Sequence, residues 1–212
     1  MWSSWFGIED QKSKEKKLLY AFDGRKPRIG RGVFVSDQAV LIGDVKIGDG
    51  SYVGPGAILR GDYGSIEIGP GTSVEENVTV HAPPGRVCRI GKKVTLGHGA
   101  IIHAASVGDL AVIGMGAVLS LRAKVGERAI VAEGAVVKMN QKVPPRVVVA
   151  GNPATVIRNV TPEDEERWKK GKQLYIDLAK KYLRIGLQPV GKSDSSGLRN
   201  PTERPLKRKL KD

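Results

Sequence analysis

Cysteine occurs once in the 212-residue chain, at Cys88, which excludes an internal disulfide and is compatible with a reducing compartment. A lone cysteine of this kind most often packs as a small buried hydrophobe. Aromatic residues make up only 5% of the chain, so its core must be built from small and branched aliphatic side chains. No apolar run approaches the length of a membrane span, and "MWSSWFGIEDQKSKEKK" lacks the long apolar stretch of a signal peptide. A cytoplasmic protein without membrane association is therefore expected.

Acidic residues are also few, 22 against 35 basic ones, for a formal charge of +13. Much of the excess lies in "KSKEKK" and "ERPLKRKLKD", charge runs that read as solvated ends. No helix-turn-helix, zinc-finger or RNA-recognition signature accompanies them, and aromatics are not interleaved with the basic residues. Nucleic acid is not an expected partner.

Glycine, by contrast, occurs 27 times, and aliphatic residues recur every six positions. The series runs through Ile29, Val35, Leu41, Ile47, Val53 and Leu59, slips, and resumes at Ile68, Val74 and Val80. It continues through Ile90, Leu96 and Ile102, then from Val107 through Ile113, Leu119, Val125, Val131 and Val137 to Val143. A period of six fits neither a helix nor a long strand, but it fits short strands joined by tight turns. Three hexads make one triangular coil, with each aliphatic residue pointing inward onto its counterpart about 4.8 Å away. The fold expected is mostly β: a left-handed parallel β-helix, or hexapeptide-repeat solenoid, over 25–160.

An N-terminal arm over 1–24 precedes the solenoid in this reading. After it, "TPEDEERWKKGKQLYIDLAKKYL" predicts an α-helix within 161–187, with Thr161 as cap, Pro162 in the first turn and Glu163 to Glu166 facing the positive end of the helix dipole. Trp168, Gly171, Tyr175, Leu178 and Tyr182 form one stripe that should pack along the solenoid. The basic tail, 188–212, is expected to be largely disordered.

Histidine occurs three times, at His81, His98 and His103. In the hexad register His81 follows Val80 and His103 follows Ile102, so both take the same position on successive coils. Arg60, which follows Leu59, belongs to the same column, with Asp62 two residues on to offset its charge. His98 falls on the preceding face, roughly 15 Å from His103 along extended chain. A metal bound at about 2.1 Å from each nitrogen can be shared by His81 and His103 but hardly by His98 of the same chain. The three meet if solenoids pack around a threefold axis and the neighbour supplies His98. Histidines in β-helix turns also serve simply as hydrogen-bonding groups, and Arg60 with Asp62 also reads as an interface ion pair.

The stretches "ILRGD" (58–62), "VH" (80–81), "LGHGAIIHAA" (96–105), "IGMGAVL" (113–119) and "AGNPA" (150–154) resemble those of the γ-class carbonic anhydrases, over about residues 25–185. The resemblance implies a homotrimer of left-handed β-helices with Zn2+, or Fe2+ or Co2+, held between subunits by His81, His98 and His103. It further implies CO2 and bicarbonate as substrates, with hydroxide generated at the metal attacking CO2. Arg60 would orient bicarbonate or hold the interface through Asp62, and Tyr175 resembles a tyrosine near the site. Two differences stand out: Glu75 occupies the place of a usual glutamine, followed by Glu76 where aspartate is usual. The acidic proton-shuttle loop is also missing, since "HAPPGRVCRIG" holds no carboxylate. Two other readings are open: an acyl-CoA thioesterase or acyltransferase of the hexapeptide superfamily, and a non-catalytic trimeric metal-binding scaffold.

Overall fold

A computed structural model of the chain describes residues 18–187. The tail and all but the last residues of the expected arm lie outside the described residues. The chain forms the left-handed hexapeptide-repeat β-solenoid, about seven turns of parallel strands, followed by one helix.

Each turn lays one strand on each of three faces. The first face stacks Leu18–Tyr20, the starts of Val40–Ile47 and Ile58–Ile68, then Thr79–His81, Ile101–His103, Val118–Leu119 and Val136–Val137. The second stacks Arg28–Ile29, the ends of those same two long strands, then Val87–Ile90, Ser106–Val107, Lys124–Val125 and Lys142–Val143. The third runs from Phe34–Val35 through Tyr52–Val53, Ser73–Val74, Thr95–Leu96, Val112–Ile113 and Ile130–Val131 to Val147–Ala150. Thr155–Asn159 then pairs antiparallel with Val147–Ala150 and closes the stack. Among the described residues the strands start with Leu18–Tyr20, where Leu18 pairs with Val40.

The interior is a set of aliphatic ladders. Leu41, Leu59, Val80, Ile102, Leu119 and Val137 are fully buried one above the other on the first face. Alanines 39, 57, 100, 117 and 135 fill the narrow corner preceding these strands. Ile29 is a correction to the expected series: it is 36% exposed, and among the described residues no strand stacks above Arg28–Ile29 to cover it. Cys88 is fully buried, and that burial pushes its thiol up to about 12. Among the described residues no helix is long and apolar enough to cross a membrane.

Turn chemistry sets the corners. Gly43 lies at φ +73°, and a Cβ there would meet the Gly61 carbonyl oxygen at 2.3 Å and the Asp62 Cα at 3.1 Å. Gly43 pairs with Gly61, eighteen residues on, while Val45 pairs with Ile66, twenty-one on. The additional residues form the corner that projects Asp62. Gly43→Ala therefore strains its own backbone and pushes on the chain that carries Asp62. It should destabilise the fold by roughly 3 kcal/mol. Denaturant unfolding measures this, and an unchanged midpoint would contradict it.

The helix α1, Pro162–Ile185, begins with a capping box: the Asp164 N–H donates to Thr161 Oγ1 at 3.2 Å, and the Thr161 N–H donates to Asp164 Oδ2 at 3.0 Å. Arg158 also pairs with Asp164 and holds its carboxyl far below the usual range, aided by the Thr161 N–H. Because this carboxyl is depressed in the folded state, its contribution is full above the ordinary aspartate pKa and is lost as pH falls below it. Asp164→Ala should remove about 1–2 kcal/mol at pH 7 and progressively less in acid, which paired unfolding curves at pH 7 and pH 3 will test. From this start α1 runs along the third face to Phe34, against which Tyr182 stacks at 4.6 Å between ring centroids. The residues that α1 buries most are Lys172 and Ala179, one position along from the expected Gly171 and Leu178.

Candidate metal centre

Side chains along a strand alternate in and out, so the residue after each buried aliphatic of the first face points outward. In register, Arg60 pairs with His81 and His81 with His103. The two imidazole rings stack at 5.2 Å between centroids, 18° from parallel. Arg60 Nη1 donates to Asp62 Oδ2 at 2.7 Å, and Asp62 Oδ1 lies 3.8 Å from His81 Nε2. Oδ1 also accepts the Tyr63 N–H at 3.0 Å.

Charges at this corner favour a neutral imidazole beside an ionised carboxylate. Burial, then the Arg60 charge, then His103, all lower the His81 pKa against the opposing pull of Asp62. Burial raises the Asp62 carboxyl, but the Arg60 and Tyr63 hydrogen bonds outweigh it and the net shift is down. A neutral imidazole at His81 has a lone pair to give to a metal.

His98 stands at the opposite edge of the first face, in the corner that follows Thr95–Leu96. Its side chain is 46% exposed and sits between two carboxylates: Nε2 is 3.2 Å from Glu75 Oε2, and Nδ1 is 2.6 Å from Glu76 Oε2. Glu75 is nearly fully buried, and that burial raises its carboxyl pKa against the lowering effect of His98 and of the Tyr175 hydroxyl hydrogen bond. Ser73 Oγ also reaches Glu75 Oε1, at 3.4 Å. Glu75 takes the ladder position that Gly54 and Gly97 hold in the turns on either side. The Tyr52 hydroxyl donates to Glu76 Oε1 at 2.6 Å. Tyr52 in turn packs against Tyr175 at 5.2 Å, and both phenols are pushed well above their usual range by burial, so they remain donors.

One chain thus carries two separate clusters. Arg60, Asp62, His81 and His103 come together at one edge, while His98, Glu75 and Tyr175 come together at the other. Among the described residues, no three histidine, cysteine or carboxylate side chains of one chain converge as a metal set. Sequence reasoning missed Tyr52 as the partner of Glu76. Its outward position in the hexad register, one turn before Glu75, was the available signal.

The strip between the two edges is largely apolar. Val40, Ile58, Thr79, Ile101, Val118 and Val136 form one outward column in strand register. Ile58 is 40% exposed and Ile101 46%. The two nearly parallel imidazoles, one strand spacing apart on a common side, are of a donor type that suits zinc.

Comparison with known proteins gives the same frame. The model for "Bacterial transferase hexapeptide (six repeats)" matches residues 26–61. The chain is 40% identical to gamma carbonic anhydrase 2, mitochondrial, of Arabidopsis thaliana over 178 residues, which are 81% of this chain and 64% of that one. It therefore spans a little under two thirds of that relative. It is also 40% identical to gamma carbonic anhydrase 3, mitochondrial, of the same plant, over 91% of this chain and 77% of the relative. Carnitine operon protein CaiE of Escherichia coli K12 is 39% identical, over 71% of this chain and 76% of its own. Among solved structures, a hexapeptide transferase family protein from Anaplasma phagocytophilum superposes with a TM-score of 0.75 at 35% identity, over 78% of this chain and 98% of that one.

Proposed function

The chain belongs to the γ-carbonic-anhydrase-like hexapeptide-repeat family, and from that membership we propose that it hydrates CO2 reversibly to bicarbonate at metal sites between the subunits of a homotrimer. The observation that carries this reading is the division of the histidines: a stacked pair, His81 and His103, on one edge of an apolar face and His98 on the other. Three such faces turned toward a common axis bring each His81 and His103 pair to His98 of the partner subunit. Zn2+ held by these three imidazoles, or Fe2+ or Co2+ in its place, supplies Lewis acidity that lowers the pKa of water toward about 7.

The chain's own residues do the remaining work. Arg60, fixed by Asp62, presents guanidinium donors beside His81, where they can hold a bicarbonate oxygen. Glu75 offers a carboxylate of raised proton affinity at the His98 edge, and Tyr175 and Ser73 hold it in place to accept the proton that hydration releases. Tyr52 fixes Glu76 against His98 in the same way. The Ile58 and Ile101 column excludes water from the assembled interface.

Protein purified without chelator should contain about one metal per chain and hydrate CO2 in stopped-flow assays. A chelator should abolish the activity and zinc should restore it. Folded protein without metal, or hydration indifferent to chelator, would overturn the assignment. Turnover of small acyl-CoA esters by the same sample, without CO2 hydration, would instead favour acyl transfer.

A further inference from the structure

We propose that Lys172 is a reversible CO2-carbamylation site in the groove between α1 and the third face of the solenoid. This groove, of about 500 Å³, lies behind the metal half-sites and serves none of the roles assigned above. Val112, Ile130, Trp168 and Ile176 give it apolar walls, and Lys93 and Arg128 add positive charge.

Lys172 is the anomaly within it. The residue is only 6% exposed, and Nζ donates to just two groups, Thr95 Oγ1 and the Ala111 carbonyl, each at 3.2 Å. The carboxylates that line the groove are engaged elsewhere: Asp164 with Arg158, Glu165 with Arg146 and Arg128, Glu166 with Lys169 and Lys170. Glu75 acts on Lys172 from the third face only as a more distant charge, and the Trp168 ring centroid is 5.6 Å away. Among the described residues, an ammonium so placed is one hydrogen bond short and has no direct counter-ion. A neutral amine fits instead: its two N–H groups match the two acceptors, and its lone pair is left free. In keeping with this, burial pulls the Lys172 pKa down to about 7.

A neutral lysine amine that lines an open groove is a nucleophile for CO2. The nitrogen lone pair forms the N–C bond, one C=O π pair moves onto oxygen, and one N–H proton leaves through the open side of the groove to solvent. The product is an anionic carbamate. It gains the field of Lys93, which lines the groove, and the Thr95 hydroxyl can turn to donate to it. On the next turn of α1, Tyr175 touches Glu75, so carbamylation changes the charge directly behind the His98 half-site.

The test uses the full chain, both as purified and after chelator treatment, equilibrated with 13C-labelled bicarbonate. Carbamates are trapped by alkylation with a trialkyloxonium salt and located by peptide mass mapping. The trapped adduct should fall on Lys172, increase with dissolved CO2, persist in metal-free protein, and, at fixed dissolved CO2, drop far more than tenfold between pH 8 and pH 6, because the amine becomes protonated and the step itself releases a proton. A Lys172→Arg chain should lose the matching 13C carbamate signal. Trapping of the N-terminal amine with none on Lys172, or Lys172 labelled no more than exposed lysines, overturns the proposal. Because wild-type mapping needs no variant, a misfolded Lys172→Arg leaves the test intact. Because metal-free protein suffices, the outcome is independent of the metal site.

Discussion

His98→Ala removes the bound metal and lowers CO2 hydration by at least about 100-fold while leaving the assembly intact. The side chain is half exposed and touches only the two carboxylates at its sides. The ladder is carried at this corner by the backbone, where the Gly116 N–H donates to the His98 carbonyl at 2.9 Å. Glu76 keeps Tyr52, and Glu75 keeps Ser73 and Tyr175, so truncation strands no buried carboxylate. The cost to stability is therefore small, within about 0.5 kcal/mol as for other surface positions. Elemental analysis beside size-exclusion chromatography separates the two effects, and full metal retention in an intact assembly would contradict the shared site.

Ile101→Glu has the opposite signature: it leaves each chain folded but splits the trimer, and the metal goes with it. In the single chain Ile101 is 46% exposed, so glutamate there meets water and costs little. Packed against two copies of the same apolar column, each carboxylate loses its hydration without gaining a cation, at a cost of a few kcal/mol per subunit, and the symmetry applies that cost three times. Light scattering at micromolar concentration should report a monomer whose unfolding midpoint is close to that of the parent chain. A trimer of parent mass that still holds metal would place the interface on another face.

The Arg60, His81 and His103 column was legible because the hexad period converts sequence position directly into a place on the coil, and the pairings of these residues follow it. The start of α1 was legible for a similar reason, since Thr161, Pro162 and Asp164 act through local backbone geometry. The buried face of the helix was less so. A hydrophobic pattern discounts lysine, yet Lys172 packs its stem inward and spends its head on Thr95 and Ala111, two acceptors from distant turns. The hold of Tyr52 on Glu76 was only partly legible, because register brings the two residues to one corner but side-chain length makes the bond. Ile29 obeys the period but not the burial, since among the described residues its strand has a neighbour on one side only.

Subunit mixing tests the interfacial site most directly. Chains carrying His98→Ala and chains carrying His81→Ala are each expected to assemble without metal or activity. Unfolded together in equal amounts and refolded, they should form mixed trimers in which one interface of three combines an intact His81 and His103 pair with an intact His98. Random assembly then restores about a quarter of the parent metal content and CO2 hydration. If every site were built within one chain, the mixture would stay as empty and inactive as its parts, and that result would contradict the account.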